Sequence, residues 1–327
     1  MKYFKIITGC LAASMIFTAC EKDFLDRPPL DEVTSTFFFK NPEELKTYVN
    51  QYYNNTFFPR YNNFGNDFDS DNSVRINIDQ RLEGTRTVST SGSIPFGNVR
   101  SINYFFDNYS KVAEKHAFDT YKQYVGEAYF FRAVNYFNLL KDYGDIQWIT
   151  TELKTNSPDL YKGRDSRTIV ADHIISSLDT AAMYLSDAKT DGASRVNKWM
   201  ALLIQSRVAL YEGTWQKYHA GTAFGTQNAV PTKYLEKAAE AALKIMDSGK
   251  YTIYSTGKPA SDYKDLFALQ DYSTNSEVMF WKKYDNDLSR GNSAFTNDRN
   301  FRMETPSGNT ITKQLADSYL AVDGKPI

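Results

Sequence analysis

The side chains that most often carry out catalysis are scarce or scattered in this sequence. The three histidines are His116, His173 and His219, and none belongs to an H-E-x-x-H zinc motif. A G-x-S-x-G nucleophile elbow, a phosphate-binding P-loop and a G-x-G-x-x-G dinucleotide motif are also absent. Carboxylates are abundant, but no motif places two of them together as a glycosidase pair requires. The residues therefore indicate no particular catalytic site, and counting carboxylates does not exclude a glycosidase.

Three aspartates at alternate positions imitate the opening of a calcium-binding loop. Asp67, Asp69 and Asp71 match its first three ligand positions. An EF-hand is excluded, because Asn72 stands where the turn glycine is needed and Ile78 stands where the loop requires its final Glu. A looser calcium site at residues 67–71 and a solvated loop both stay open. No cofactor is predicted.

Aromatic residues are the richest source of binding chemistry in the chain. The sequence holds 23 Tyr, 22 Phe and 4 Trp, together 15% of its residues. A tyrosine hydroxyl needs a hydrogen-bond partner or water, so many of these rings are expected to line surfaces and grooves. The 38 basic and 39 acidic residues nearly cancel. This balance provides no basic field for nucleic acid, and no nucleic-acid partner is predicted.

Residues 1–19 predict an export signal. Lys2 and Lys5 precede an apolar run at residues 6–18, which is too short for a bilayer that needs about 20 residues. A small residue directly before Cys20 is similar to the lipobox of bacterial lipoproteins. Cys20 is therefore predicted to become the lipid-carrying N-terminus, with a plain signal peptide as the alternative.

The mature chain is expected to be one domain over residues 20–327. Cys10 leaves with the signal and Cys20 carries lipid, so neither a disulfide nor a cysteine zinc site is predicted. Several acyl chains give stable membrane anchoring where one chain gives only marginal binding.

Hydrophobic periodicity predicts a mainly helical chain. Apolar residues spaced i, i+3, i+4 and i+7 indicate helices at residues 42–54, 98–116, 122–141, 167–186 and 195–214, and a sixth that ends at Gly249. Asn41 with Glu44 forms a capping-box pattern for the first helix, and Asp165 or Ser166 is expected to cap the fourth. The segment 122–141 is apolar around most of its circumference and is expected at the centre of the fold.

The helices and the segments between them suggest two parts of one fold. Helices joined in pairs resemble tetratricopeptide repeats, although the 34-residue period is not clean. Residues 55–97, 214–231 and 251–310 are polar and aromatic and are longer than ordinary connections. The predicted class is mainly α, with tetratricopeptide-like helix pairs and a loop-rich subdomain that carries short strands, such as residues 277–281, and the binding site.

Residues 126–147, GEAYFFRAVNYFNLLKDYGDIQ, resemble the signature of the SusD/RagB family of outer-membrane nutrient-binding lipoproteins. Further similar stretches follow family order along nearly the whole chain: CEKDFLDRPP, NVRSINYFFDN, GRDSRTIVADHIISSLDTA, RVNKWMALLIQSRVALYEGTW, YLEKAAEAALKIMDSGKYTIY and ADSYLAVDGKPI. The chain departs from the family at Gln147, where family members usually have Pro. It also departs at residues 91–97, which lack the Trp that family members often have at this place. The sequence stops inside a segment that continues in the family, so it is expected to lack the C-terminal part.

The resemblance implies a lipid-anchored protein on the exterior of the outer membrane. Four tetratricopeptide-like helix pairs would pack on a SusC-like TonB-dependent transporter. The loop-rich side would capture an oligosaccharide, or in some relatives a peptide, and deliver it to the pore. The resemblance therefore also implies a protein that is not an enzyme. By loop position, the glycan contacts that the resemblance implies are Asp71, Arg81, Phe96 and Asn98, followed by Trp281 and Tyr284.

Two other functions stay open from the residues. The first is a glycoside hydrolase anchored at the surface, which turnover of a glycan would reveal. The second is a tetratricopeptide scaffold that binds only proteins, which would bind the transporter and have no affinity for glycans.

Overall fold

The computed structural model describes residues 38–54, 56–58, 69–74, 77, 79–87, 94–189, 191–284 and 310–325. Helices predominate in these ranges, so the predicted mainly α class is confirmed. They are α1 (Pro42–Asn50), α2 (Gln80–Glu83), α3 (Gly97–Asn108), α4 (Lys122–Tyr143), α5 (Arg167–Tyr184), α6 (Lys198–Tyr218), α7 (Pro231–Asp247), α8 (Asp262–Ala268) and α9 (Lys313–Ser318). Within the described part of the chain, no helix has the length and apolarity needed to cross a membrane.

The start of α1 follows from its capping residues. The Asn41 side chain accepts a hydrogen bond from the Glu44 backbone N–H at 3.0 Å. The Glu44 carboxylate reaches back to the backbone N–H of Lys40 at 2.7 Å. The predicted capping box therefore forms, with its return bond moved one residue toward the N-terminus.

Local chemistry also sets the ends of α5 and α7. Ser166 is the N-cap of α5 and accepts from the Ile169 backbone N–H. Asp165, the other candidate cap, instead accepts from the Trp148 backbone N–H at 2.8 Å. Helix α7 ends just before Gly249, whose φ of 62° lies in the left-handed region that glycine tolerates.

Two helix bounds differ from the periodicity prediction. The segment predicted as one helix at residues 98–116 is α3 followed by a 3-10 helix at Tyr109–Glu114. Helix α6 begins only at Lys198, because the Asn197 side chain accepts from the Trp199 and Met200 backbone N–H groups and caps the helix there. It continues to Tyr218 and takes in the first part of the predicted loop 214–231.

Helix α4 lies at the centre, as predicted. Helices α4, α5, α6 and α7 each pack on the next, and α1 and α3 both contact α4. At the α4–α5 contact, a Cβ atom on Gly126 would lie 3.0 Å from Leu185 Cγ and 3.1 Å from the backbone nitrogen of Leu185. The missing side chain lets the two helices approach closely. The largest fully buried side chains of α4 are Phe130, Phe131, Tyr136 and Leu140.

A short antiparallel pair connects the two loop segments predicted to hold the site. Strand β1 (Ser73–Val74) pairs with β2 (Thr310–Ile311), with Ser73 opposite Ile311. The pairing brings Ser73–Val74, within the predicted loop 55–97, beside Thr310–Ile311 at the end of the predicted loop 251–310.

The strand predicted at residues 277–281 is wrong, because other groups use its backbone amides. The backbone N–H groups of Glu277 and Val278 donate to the Asn275 side chain at 2.9 and 3.1 Å. The backbone N–H of Trp281 donates to the Ala193 carbonyl at 3.0 Å. The segment is therefore held as an irregular loop against the turn that precedes α6.

Candidate functional site

The two earliest predicted glycan contacts lie around β1 and α2. Asp71 has an exposed side chain, and its backbone carbonyl accepts a hydrogen bond from the Thr312 hydroxyl. Arg81 is exposed and its Nε lies 2.7 Å from Asp79 Oδ1. This hydrogen bond from the Arg81 guanidinium lowers the pKa of Asp79. Both predicted side chains remain open to solvent.

Phe96 and Asn98 lie at the start of α3. Phe96 occupies the N-cap position and its partly buried ring packs against the core. Asn98 Nδ2 donates to Asn135 Oδ1 on α4 at 3.5 Å. The structure therefore directs Asn98 into the seam between α3 and α4, which neither loop position nor periodicity predicted.

Trp281 lies far along the chain but packs on the turn before α6. Its indole Nε1–H donates to the Gly192 carbonyl at 2.7 Å, which uses the polar group of the side chain. The ring lines an apolar groove of about 480 Å³, in which Glu277 is the acidic member. Tyr284 follows with its ring 5.8 Å from the Lys282 ammonium. Trp281 therefore has a structural hydrogen bond in addition to any ligand role.

The structure does not bring the predicted contacts together into one cluster. Among the residues that it describes, no hydrogen bond, ion pair or ring contact joins any two of the six. The proposed lipid anchor Cys20 and the first calcium-site residue Asp67 lie outside the described residues. Within the described ranges, no three His, Cys, Asp or Glu side chains are grouped so that they could hold a metal.

A groove between α1 and α3 has the side chains that a polar, ring-shaped ligand requires. Its volume is about 590 Å³, and Gly97 places it beside Phe96 and Asn98. The lining residues combine aromatic rings with amide, hydroxyl, guanidinium and carboxylate groups: Phe38, Thr47, Tyr48, Gln51, Gly97, Arg100, Ser101, Tyr104 and Glu152.

Two tyrosines form the aromatic wall of this groove. The rings of Tyr48 and Tyr104 stack at 6.1 Å with an interplanar angle of 28°. The Tyr48 hydroxyl donates to the Ser101 carbonyl at 2.9 Å, and burial raises its pKa above the ordinary value. Both rings remain partly exposed. They can therefore offer an apolar face to a ligand while the Tyr48 hydroxyl holds its hydrogen bond.

The other side chains that line the groove are mostly polar. Arg100 Nη2 lies 3.3 Å from Glu152 Oε1, and the arginine side chain is 61% exposed. The Ser101 hydroxyl donates to Gln51 Oε1 at 3.3 Å. A pyranose has apolar C–H faces and hydroxyl edges, and aromatic rings beside planar polar groups match both surfaces.

Sequence reasoning missed most of this groove. It did not single out Tyr48, Gln51, Arg100, Tyr104 or Glu152 as binding residues. A signal was present, since Arg100 and Tyr104 are four residues apart and share one face of α3. Nothing in the sequence indicated that α1 would lie alongside that face.

Comparison with known families identifies the class of protein. Residues 23–210, more than half of the chain, match the model of a SusD-like family that is described as starch-binding and associating with the outer membrane. The chain belongs to this family, which confirms the resemblance found in its sequence. No curated protein matches the chain.

Solved structures show the same fold. A SusD-like protein from Bacteroides fragilis aligns with a TM-score of 0.56 and 19% identity, covering 92% of this chain and 56% of its own. A SusD-like carbohydrate-binding protein from the same organism has a TM-score of 0.57 and 14% identity, with coverages of 89% and 55%. A SusD homologue from Bacteroides thetaiotaomicron has a TM-score of 0.53 and 20% identity, with coverages of 70% and 44%. The chain thus spans about half the length of these relatives.

Proposed function

We propose that this protein captures an oligosaccharide at the cell surface and delivers it to a SusC-like TonB-dependent transporter. The observation that carries the proposal is the groove between α1 and α3 in a chain of a starch-binding family. Stacked tyrosine rings would hold the sugar faces, and Arg100, Gln51 and Glu152 would bind the hydroxyls. Binding exchanges water hydrogen bonds for protein ones, so affinities from about millimolar to micromolar are expected.

A protein partner is supported by the outer faces of the helical part. Helices α5, α6 and α7 carry large apolar side chains that are exposed to solvent. Contiguous patches of such side chains are typical of surfaces that bind other proteins. We propose that these faces contact the transporter. The exposed residues are Met183, Leu210, Leu243 and Met246.

Replacing Arg100 with alanine is expected to weaken oligosaccharide binding about tenfold, or about 1.4 kcal/mol. The substitution removes hydrogen bonds to the ligand and breaks the ion pair with Glu152, in which the arginine is 61% and the glutamate 18% exposed; surface pairs of this kind typically contribute about 0–1 kcal/mol to folding. Titration calorimetry with maltoheptaose, a starch fragment, measures the affinity. Lys244→Ala is the matched control, because it breaks the exposed pair with Glu240 on α7 and leaves the groove intact.

Several outcomes of this titration contradict the proposal. If Arg100→Ala binds maltoheptaose as tightly as the original chain does, the sugar binds outside the groove. Variants of the other predicted contacts, tested on a glycan array, then locate the site. Release of shorter sugars would identify a surface-anchored hydrolase. Binding of a SusC-like transporter without affinity for any glycan on the array would identify a protein-binding scaffold.

Replacing Cys20 with alanine is expected to leave the precursor uncleaved or to release the protein from the outer membrane, because the acyl acceptor is lost. Membrane fractionation and surface proteolysis of whole cells measure both effects. A serine replacement at Cys10, within the predicted signal, is the control and leaves anchoring unchanged. Surface attachment of Cys20→Ala as firm as that of the original chain would show that the anchor lies elsewhere.

A further inference from the structure

The charged pair in the groove between α1 and α3 uses only part of its hydrogen-bonding capacity. Arg100 Nε and Nη2 both donate to the same atom, Glu152 Oε1, at 3.4 and 3.3 Å. Both distances are longer than the roughly 2.8 Å that is usual between charged groups. Within the described ranges, Arg100 Nη1 and Glu152 Oε2 make no hydrogen bond. Arg100 is exposed and Glu152 partly exposed in the groove, so the pair offers a ligand a charged donor beside a charged acceptor.

The backbone segment that carries Glu152 is fixed to α3. The Glu152 backbone N–H donates to Asp107 Oδ2 at 2.8 Å. Asn103 is fully buried, and its Nδ2 donates at 2.9 Å to two carbonyls of the same segment, those of Ile149 and Thr151. Arg100, Asn103 and Asp107 are spaced i, i+3 and i+7, so they lie on one face of α3. The helix that carries the arginine therefore also positions the glutamate.

Two other polar side chains of the groove are bonded to their neighbours. Ser101 Oγ donates to Gln51 Oε1 at 3.3 Å, and Gln51 Nε2 donates to the Tyr48 carbonyl at 2.9 Å. Among the described residues that line the groove, only Arg100 and Glu152 carry a charge. A charge-assisted hydrogen bond is roughly twice as strong as a neutral one. The strongest polar contacts of a ligand in this groove are therefore those to Arg100 and Glu152.

We propose that the Arg100–Glu152 pair selects a sugar with two adjacent free hydroxyl groups. A hydroxyl group both donates and accepts hydrogen bonds. One hydroxyl accepts from Arg100 Nη1 while its neighbour donates to Glu152 Oε2. Because α3 holds both charged groups in place, the ligand does not have to order them when it binds. This selection rests on the proposed glycan capture and specifies the class of glycan that the groove accepts.

Substituents on these hydroxyls are rejected mainly through Glu152. Methylation or acetylation of the hydroxyl that meets Glu152 removes the donated proton and leaves the carboxylate without that partner. A site that bonds a substrate hydroxyl discriminates strongly against an analogue without it. A sulfate ester at the same position also brings a second negative charge beside Glu152, and such repulsion excludes wrong ligands. The accepted class is therefore glycans whose adjacent hydroxyls are unsubstituted, with Glu152 as the specificity-determining residue.

The test compares ligands that differ only in which hydroxyls are methylated. Maltoheptaose, its 2,3-di-O-methyl derivative and its 6-O-methyl derivative are titrated into the original chain by calorimetry. The 2,3-di-O-methyl derivative has no adjacent pair of free hydroxyls, so it is expected to bind about tenfold more weakly than maltoheptaose. The 6-O-methyl derivative keeps the pair at C2 and C3 and is expected to bind as tightly as maltoheptaose.

A substitution at Glu152 completes the comparison. Glu152→Gln keeps the volume of the side chain but removes the charged acceptor, so about tenfold weaker binding of maltoheptaose is expected. The variant is also expected to lose most of its preference over the 2,3-di-O-methyl derivative, because substitution and methylation remove the same hydrogen bond. Glu240→Gln is the matched control. It removes an exposed carboxylate on α7, outside the groove, and is expected to keep the affinity and the preference.

The outcomes separate this selection from the proposed function. Equal binding of maltoheptaose and its 2,3-di-O-methyl derivative by the original chain overturns the selection and leaves glycan capture intact. Binding of another glycan on an array but not of maltoheptaose has the same consequence. Absence of binding to every glycan overturns both. If Glu152→Gln keeps the tenfold preference, the methyl groups are excluded by shape, and Glu152 does not determine the specificity.

A second measurement does not depend on the folding of a variant. The Nε–H resonance of Arg100 in the nuclear magnetic resonance spectrum of the original chain is expected to shift on addition of maltoheptaose or its 6-O-methyl derivative. The 2,3-di-O-methyl derivative at the same concentration is expected to shift it much less. A resonance unchanged at saturating maltoheptaose, or shifted equally by all three ligands, overturns the assignment of the hydroxyl pair to Arg100 and Glu152.

Discussion

Replacing Arg195 with methionine is expected to lower the free energy of unfolding by about 3–5 kcal/mol, because the substitution leaves a buried carboxylate without its partner. Glu127 on α4 is fully buried. Arg195 Nε and Nη2 donate to its two oxygens at 2.7 and 2.8 Å. Arg195 Nη1 also donates to Asn50 Oδ1 at 2.9 Å, at the end of α1. The substitution therefore disconnects α1, α4 and the start of α6 together.

A double substitution separates two contributions to the free energy of unfolding: the cost of leaving the Glu127 carboxylate unpaired, and the contribution of the Glu127–Arg195 ion pair itself. Burial raises the pKa of Glu127 even though the hydrogen bonds from Arg195 lower it, whereas the bonds to Glu127 raise the pKa of Arg195 despite its burial. Exchange of a whole buried pair for apolar residues of similar volume is often neutral or stabilising. Glu127→Leu with Arg195→Met is therefore expected to be more stable than Arg195→Met alone.

Urea unfolding measures these differences, and an exposed pair provides the control. Lys244 and Glu240 on α7 lie 2.6 Å apart with half of each side chain in solvent. Lys244→Met is expected to change the unfolding free energy by less than about 1 kcal/mol. An Arg195→Met chain as stable as this control would show that Glu127 is protonated or hydrated in the folded protein.

Replacing Phe131 with alanine is expected to cost about 3–5 kcal/mol, the usual range for removing a buried aromatic ring. Phe131 on α4 is fully buried. Its centroid lies 5.3 Å from Tyr52, 5.1 Å from Tyr53 and 5.1 Å from Phe57, all in the segment that follows α1. The cavity would therefore open between α4 and this segment, where surrounding rings limit collapse.

For Phe131→Ala, the urea concentration at the midpoint of unfolding is expected to fall. The slope of the unfolding free energy against urea concentration is expected to stay constant, because the surface area exposed on unfolding changes little. Phe267→Ala is the matched control, because this ring is 68% exposed on α8. It is expected to alter the unfolding free energy by less than about 0.5 kcal/mol. Equal midpoints for Phe131→Ala and Phe267→Ala would contradict the central position of α4.

Most of the helical part could be predicted from the sequence because its signals are local. The pattern of apolar residues identified α4 and its burial, and the side chains of Asn41 and Ser166 mark helix starts through bonds to amides within three residues. Helix α6 begins at Lys198 and not at residue 195 as predicted, because the Asn197 side chain caps it there, a signal that periodicity does not contain.

The sequence by itself determined the fold class, the family and the abundance of rings that could bind a sugar. The tertiary structure alone decided which rings lie beside which polar groups. Tyr48, Arg100 and Glu152 meet in one groove although α1, α3 and the segment after α4 are distant in sequence. In the same way, the Trp281 indole is held by Gly192, and Arg132 lies among rings without a carboxylate partner in the described part of the chain. Local patterns specify the face that a helix buries, whereas packing between distant elements determines the side chains that meet at its edge.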